Sequence, residues 1–197
     1  HIATAGYQQL QDCFLMAQQL RSHLRQLPSI ALSPHADDPS RLTLRIGRLT
    51  GYEADEQLSE HFGVICELPQ LHHLTFALTI GDRPPDGDRL LNAIGQLAQS
   101  APIPSPLSAR DLSPIPTAII SPRQAHFAPK KRVSFHNAPG EICGELICPY
   151  PPGIPSLIPG ERITEAALIH LNETLTAGGV LTGCQDTTGE FLSVVDY

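Results

Sequence analysis

Cys148-Pro149-Tyr150-Pro151-Pro152-Gly153-Ile154-Pro155-Ser156-Leu157-Ile158-Pro159-Gly160-Glu161 is the stretch on which the reading of this chain turns. Pro151 and Pro152 fix two successive φ angles and remove two backbone donors. Gly153 permits a tight turn or a close backbone approach. The segment is too rich in proline and glycine for a helix, and its rigidity predicts a loop that joins no sheet. Its polar side chains are few, which favours a loop that packs domains together over one that touches a ligand directly.

Working outward, Thr164 caps a predicted helix over residues 163–177 that Gly178-Gly179 stops. Glu161 reads as a cap for that helix or a bridge to Arg162. A last strand is predicted over Phe191–Val195. Upstream, residues 141–148 read as a strand, and Ser121-Pro122 opens a short helix with serine as cap and proline at the first helical position. Pro102, Pro104, Pro106, Pro114 and Pro116, with Pro122 just beyond, mark residues 101–120 as a stiff linker between domains.

Before the linker the periodicities alternate. Residues 4–27 place Ala5, Leu10, Phe14, Ala17, Leu20, Leu24 and Leu27 near helical spacing, and Pro28 ends the run. After a loop over 33–39, Arg41–Ile46 alternates with period two, as a half-buried strand does. Thr50 and Glu53 stand in capping-box spacing ahead of a helix that Gly63 ends. Strands are predicted over 64–67 and 73–80. A helix over 84–99 shows an apolar face of Leu90, Leu91, Ile94 and Leu97. Strand, helix, strand, strand, helix makes a small two-layer α/β unit.

The composition excludes several classes. Of 197 residues, 41% are hydrophobic, which suffices for one larger or two small cores. No apolar run approaches the ~20 residues that cross a bilayer, so no membrane partner is expected. Net charge is −7, and Lys130-Lys131-Arg132 is the one basic triplet, so nucleic acid is not an expected partner. Five cysteines, Cys13, Cys66, Cys143, Cys148 and Cys184, form no CxxC pair. They read as reduced thiols of a cytoplasmic protein, with no metal site. The chain starts at His1, with helix-like sequence immediately after, which reads as a beginning inside a longer frame.

The quoted stretch resembles the Tyr-Pro-Pro-Gly-Ile-Pro…Pro-Gly-Glu signature of the prokaryotic arginine/lysine/ornithine decarboxylases. Three further stretches resemble that family in the same order: Leu49-Thr50-Gly51-Tyr52-Glu53-Ala54-Asp55, Glu67 through Ile80-Gly81-Asp82, and Leu112-Ser113-Pro114 through Pro129. Four matches in order cover nearly the whole chain. The resemblance implies a fold that is α/β and α+β: an aminotransferase-type small domain, two-layer α/β, followed by the decarboxylase C-terminal α+β domain. It divides the chain into a helix from the end of the large domain (1–28), the small domain (29–100), the linker (101–120) and the C-terminal domain (121–197).

The resemblance also implies a function. A basic amino acid, arginine, lysine or ornithine, would lose CO2 to give an amine of polyamine biosynthesis, with pyridoxal phosphate as cofactor, in a homodimer or higher homo-oligomer. That lyase chemistry needs a lysine to hold the cofactor and an acid beside its ring nitrogen. In the family that lysine follows a histidine in the large domain. No His-Lys pair occurs here, and the only lysines, Lys130 and Lys131, sit in what reads as a solvated loop after Pro129. No catalytic residue is therefore expected in this chain, the cofactor is expected mainly on the missing large domain, and the chain alone is expected to be inactive. The alternative is a non-catalytic module that binds or regulates a full-length relative.

Glu67 is the candidate substrate-binding residue. In the family an acidic residue stands before the Leu-Phe…Gly strand and faces the cationic end of the substrate, and Glu67 precedes Gly81 by the same separation. A guanidinium or ammonium buried in a cleft needs a paired carboxylate; the competing reading is a surface strand end. Tyr150, Pro151, Pro152 and Gly153 form the candidate active-site loop. His72 and His73, adjacent on a predicted strand, point to opposite faces and read as structural. Cys66 and Cys148 read as small buried apolar residues. Asp37-Asp38, Asp86 and Asp88 read as loop or helix-start carboxylates. Arg83 stands in no motif that clamps an α-carboxylate, and a decarboxylase must release that group; this favours decarboxylation over transamination.

Overall fold

A computed structural model describes residues 6–33, 38–104 and 116–196. Ala5, residues 34–37 with Asp37, and the linker positions 105–115 with the Leu112-Ser113-Pro114 match lie outside the described residues. The chain divides into two compact units, His1–Pro106 and Leu107–Tyr197, with the boundary inside the proline-rich stretch. No helix among the described residues is long and apolar enough to cross a membrane.

The first unit is a four-stranded antiparallel sheet under three helices. Its elements are α1 (Tyr7–Leu24), β1 (Ile30–Leu32), β2 (Arg41–Ile46), α2 (Gly51–Phe62), β3 (Leu68–Pro69), β4 (Leu74–Ala77) and α3 (Pro84–Ser100), with sheet order β1-β2-β4-β3. The period-two pattern of β2 turns Leu42, Leu44 and Ile46 to one side, where Leu42 pairs with Phe76 and Leu44 with Leu74. That apolar face is covered by Leu20 and Leu24 of α1, Ala54 and Leu58 of α2, and Leu90, Ala93, Ile94 and Leu97 of α3. The helix read from sequence as the end of a preceding domain thus shares this unit's core. Thr50 and Glu53 form the expected capping box, and Gly63 ends α2 in the left-handed region at φ +60°.

Two strands differ from expectation, for a hydrogen-bonding reason. Residues 64–66 form no strand because their donors return to α2: Val64 N–H reaches the Leu58 carbonyl, and Cys66 N–H reaches Asp55 Oδ1. Pairing starts only where Glu67 N–H meets the Thr75 carbonyl. The strand expected over 73–80 narrows to β4. Gln70 N–H bonds the His73 carbonyl and bends the chain before it, while Thr79 N–H turns to Asp82 Oδ2 after it. His72 and His73 therefore lie on a bend rather than on opposite faces of a strand.

The second unit is α+β. It contains α4 (Pro122–Phe127), β5 (Lys130–Ser134), a 3-10 turn (Phe135–Asn137), β6 (Cys148–Tyr150), α5 (Glu165–Thr176), β7 (Val180–Thr182) and β8 (Phe191–Val195). Antiparallel pairs β5–β8 and β6–β7 enclose a core that includes Ile147, Leu157, Ile163, Leu168, Leu171, Leu181 and Val194. Ser121 and Gln124 cap α4 reciprocally, and Thr164 caps α5.

Four expectations are corrected here. Lys130 and Lys131 begin strand β5 rather than lie in a loop, since Lys130 pairs with Val195 and Lys131 with Val194. Residues 141–147 form isolated bridges instead of a strand, because their backbone groups alternate between partners: Cys143 N–H to Glu161, Gly144 N–H to Ser193, Ile147 N–H to Leu157. The proline-rich signature does join a sheet through β6. Pro149 sits opposite Leu181 while its carbonyl accepts from Gly153 N–H, so its missing donor faces away from the ladder. Glu161 neither caps α5 nor meets Arg162: its Oε2 accepts from Ile158 N–H at 2.8 Å, and Arg162 Nη1 donates to the Gly140 carbonyl.

Candidate functional site

Glu67 sits in the loop that enters β3, its backbone fixed by the bond to Thr75 and its side chain exposed. It lines a concavity of about 300 Å³ together with Phe76, Leu78, Asp82, Asp86 and Arg89. Sheet pairing sets the near wall, since β3 and β4 run side by side. The turn after β4 then returns Asp82, and α3 opens with Asp86 and Arg89. Asp82 and Asp86 also hold backbone, one accepting from Thr79 N–H and the other from Arg83 N–H. Among the described residues no hydrogen bond or ion pair holds the Glu67 carboxylate. Three carboxylates beside one arginine leave this concavity suited to a cation.

Asp82, Asp86 and Arg89 escaped the sequence reading as site residues. Asp82 closes a matched stretch and Asp86 sits at a helix start, but only the turn over 78–82 brings them to Glu67. The sequence reading set Glu67 in a cleft; in this chain it is solvent-exposed.

Tyr150, Pro151, Pro152 and Gly153 belong to the second unit, so neither unit contains both Glu67 and the loop. Tyr150 is exposed, and Gly153 closes the turn at φ +86° with its N–H on the Pro149 carbonyl. At the far end of the signature Gly160 has φ +95°, and an added Cβ would stand 2.3 Å from the Ile120 carbonyl oxygen. The Pro-Gly-Glu end is thus a close backbone approach, with Ile119 N–H donating to the Gly160 carbonyl.

Glu145 was missed entirely. It is buried, its Oε1 accepts from Ser193 N–H at 2.7 Å, and its Oε2 accepts from Gln185 N–H at 2.8 Å. One side chain thereby ties β8 and the turn after β7 to the approach of the signature strand. No periodicity marks such a residue.

The cysteines are inert by environment. Burial pushes the Cys66 and Cys143 thiols up to about 12, and both donate to carbonyls, of Thr75 and Glu145 respectively. Burial also raises Cys148. None is a thiolate near neutrality.

The residues do not fit a pyridoxal phosphate anchor. A lysine bonded to that cofactor must be desolvated and free of other partners. Both lysines are exposed on β5; Lys130 Nζ donates to the His126 carbonyl at 2.7 Å, and Lys131 Nζ pairs with Glu141 and Asp196 at 3.6 and 3.8 Å.

Comparison with known proteins bears on the whole chain. Residues 107–178 match the family model described as Orn/Lys/Arg decarboxylase, C-terminal domain. An arginine decarboxylase of Halalkalibacterium halodurans is 32% identical over 99% of this chain and 43% of its own length. One of Bacillus subtilis is 30% identical over 98% and 42%. The chain thus spans about two fifths of the length of these relatives. Among solved structures, a lysine decarboxylase of Francisella novicida superposes with a TM-score of 0.69 at 16% identity, covering 97% of this chain and 40% of that one. The constitutive lysine decarboxylase of Escherichia coli gives 0.66 at 15%, covering 96% and 41%.

Proposed function

We propose that this chain, which belongs to the Orn/Lys/Arg decarboxylase family and corresponds to its C-terminal portion, supplies the substrate-tail recognition of a basic amino acid decarboxylase. The carrying observation is the Glu67 concavity, in which an unpartnered carboxylate stands with Asp82 and Asp86 around a space of about 300 Å³. A guanidinium or ammonium entering it finds its counter-charge in place. Once another surface covers the opening and excludes water, the pairing strengthens.

In this reading pyridoxal phosphate supplies the electron sink and is held by residues outside this chain, because neither Lys130 nor Lys131 fits it. The 197 residues alone then release no CO2. The complete protein turns arginine, lysine or ornithine into CO2 and an amine of polyamine biosynthesis, as a cytoplasmic homodimer or higher homo-oligomer. Tyr150, Pro151, Pro152 and Gly153 form a rigid loop with a packing role rather than one that contacts substrate through polar groups.

The test is CO2 release from arginine, lysine and ornithine by the full reading frame containing this segment, with added pyridoxal phosphate. Release from one of them, reduced at least tenfold in kcat/KM by Glu67→Gln, is the expected result (about 1.4 kcal/mol of transition-state stabilisation). An unchanged kcat/KM in Glu67→Gln would remove Glu67 from the site. A second reading, a non-catalytic module acting on a longer relative, is favoured by the same lysine geometry; it predicts a folded full-length product that binds no cofactor.

A further inference from the structure

On the second unit, α5 and the 3-10 turn enclose a groove of about 480 Å³, distinct from the Glu67 concavity. Its α5 side is Glu165, Leu168, Ile169, Asn172 and Glu173, the i, i+3, i+4, i+7, i+8 series of a single helix face. Phe135 faces them across the groove. Leu168 is rooted in the core, while Ile169 stands 58% exposed. The groove therefore carries an apolar patch of Phe135, Pro139, Leu168 and Ile169, edged by the polar His136 and Asn172, with a carboxylate toward each end. Eight residues at ~1.5 Å rise set those ends roughly 12 Å apart. Glu173 lies in the last turn of α5, where the helix dipole disfavours a negative charge, and that turn contains no basic residue. Among the described residues neither glutamate's carboxylate has a hydrogen-bonding or ionic partner.

We propose that this groove binds a linear aliphatic polyamine, its methylene chain on Leu168, Ile169 and Phe135 and its terminal ammonium groups on Glu165 and Glu173. The ends and the middle select that chemistry together. An anionic or neutral ligand leaves both carboxylates unpaired, and a ligand with a single cation meets one end only. A cation at Glu173 also relieves the unfavourable charge in the last turn. The assignment is independent of any role for Glu67.

Isothermal titration of the 197-residue chain with spermidine, spermine and putrescine at low ionic strength tests it. Spermidine and spermine should bind at one site, and putrescine, too short to reach both carboxylates, several-fold more weakly. E165Q and E173Q should each weaken spermidine about threefold, and together about tenfold. All are exposed substitutions, and retention of fold is checked by circular dichroism. The charge-matched control E56Q/E60Q, on the exposed side of α2, should leave binding unchanged. Equal loss in the control, no loss in E165Q/E173Q, no preference for the longer amines, or no binding at all would each overturn the proposal. So would a concentration-dependent dimer that spermidine does not perturb and I169D abolishes, since a second copy would then occupy the groove.

Discussion

Replacing Glu145 should damage the second unit more than any surface carboxylate does, and the size of the effect follows from its geometry. Its two oxygens accept from Ser193 and Gln185 N–H at 2.7 and 2.8 Å, and the side chain is buried. A hydrogen bond to a charged group contributes ~1.5–3 kcal/mol net, and stranding its donor adds a desolvation cost. Glutamine keeps one acceptor oxygen and turns an NH2 toward the other backbone N–H, so Glu145→Gln should cost about 2–4 kcal/mol. Glu145→Leu strands both donors and should cost more, about 3–6 kcal/mol. Swapping a buried ion pair for apolar side chains is sometimes neutral, but only because both partners can be replaced. Here the partners are main-chain donors that no substitution removes. In a cooperative unit of 60–100 residues each kcal/mol moves Tm by roughly 4–8 °C, so Glu145→Gln should lower the second unit's transition by about 8–32 °C. Urea denaturation gives the free energy, and hydrogen exchange at Ser193 N–H shows whether that donor is released. The exposed Glu190→Gln serves as control and should stay within about 0.5 kcal/mol of the parent. A Glu145→Gln change equally small, with Ser193 still protected from exchange, would refute the reasoning.

Gly160→Ala should cost at least about 2 kcal/mol in urea denaturation, because its φ of +95° and the Ile120 carbonyl 2.3 Å from an added Cβ both oppose a side chain. Thr50→Ala should cost about 1 kcal/mol through loss of the α2 capping box, read in the same assay on the first unit. Cys66 and Cys143 should resist iodoacetamide in the folded chain at pH 8, while all five cysteines react in denaturant, as mass spectrometry would show. The same burial makes stability pH-dependent in a defined direction. Above the ordinary thiol value of 9.0 the unfolded chain ionises these two cysteines while the folded chain, at about 12, does not. The unfolded state then binds fewer protons, so urea midpoints should fall as pH rises from 9 toward 12. A flat profile over that range would contradict the burial.

What could be read from the residues was whatever local chemistry determines. The alternation of Arg41–Ile46, the reciprocal cap at Thr50/Glu53, the serine cap at Ser121 and the glycine stop at Gly63 each depend on neighbours within a few positions, and each stands in the structure as read. The misreadings share another cause. Residues 64–66 have strand-like composition, but an aspartate eleven positions earlier takes the Cys66 donor. Pro149 should leave a sheet, but the antiparallel ladder has positions whose backbone groups face outward, and the proline occupies one of them. β1 and β7 are three residues each and are defined only by the strands they pair with.

The same distinction separates the two kinds of candidate residue. Glu67 was singled out because an acidic residue at a fixed distance from Gly81 belongs to a recognisable pattern. Asp82, Asp86 and Arg89 were not, because a turn and a helix start bring them to Glu67 from 15 to 22 positions away, with no period to reveal it. In the proposed reading a cation would meet that assembled charge as much as any single carboxylate. If Glu67 alone bound the substrate tail, Asp86→Asn in the complete protein would leave KM untouched. If the concavity acts as a unit, Asp86→Asn should raise KM for the basic substrate about two- to fivefold with kcat preserved, the signature of lost ground-state binding. Asp86 also caps α3 through Arg83 N–H, so the stability of Asp86→Asn must be measured alongside. Asparagine keeps a side-chain oxygen that can accept from Arg83 N–H while removing the charge, and that makes it the substitution that separates charge from structure at this position.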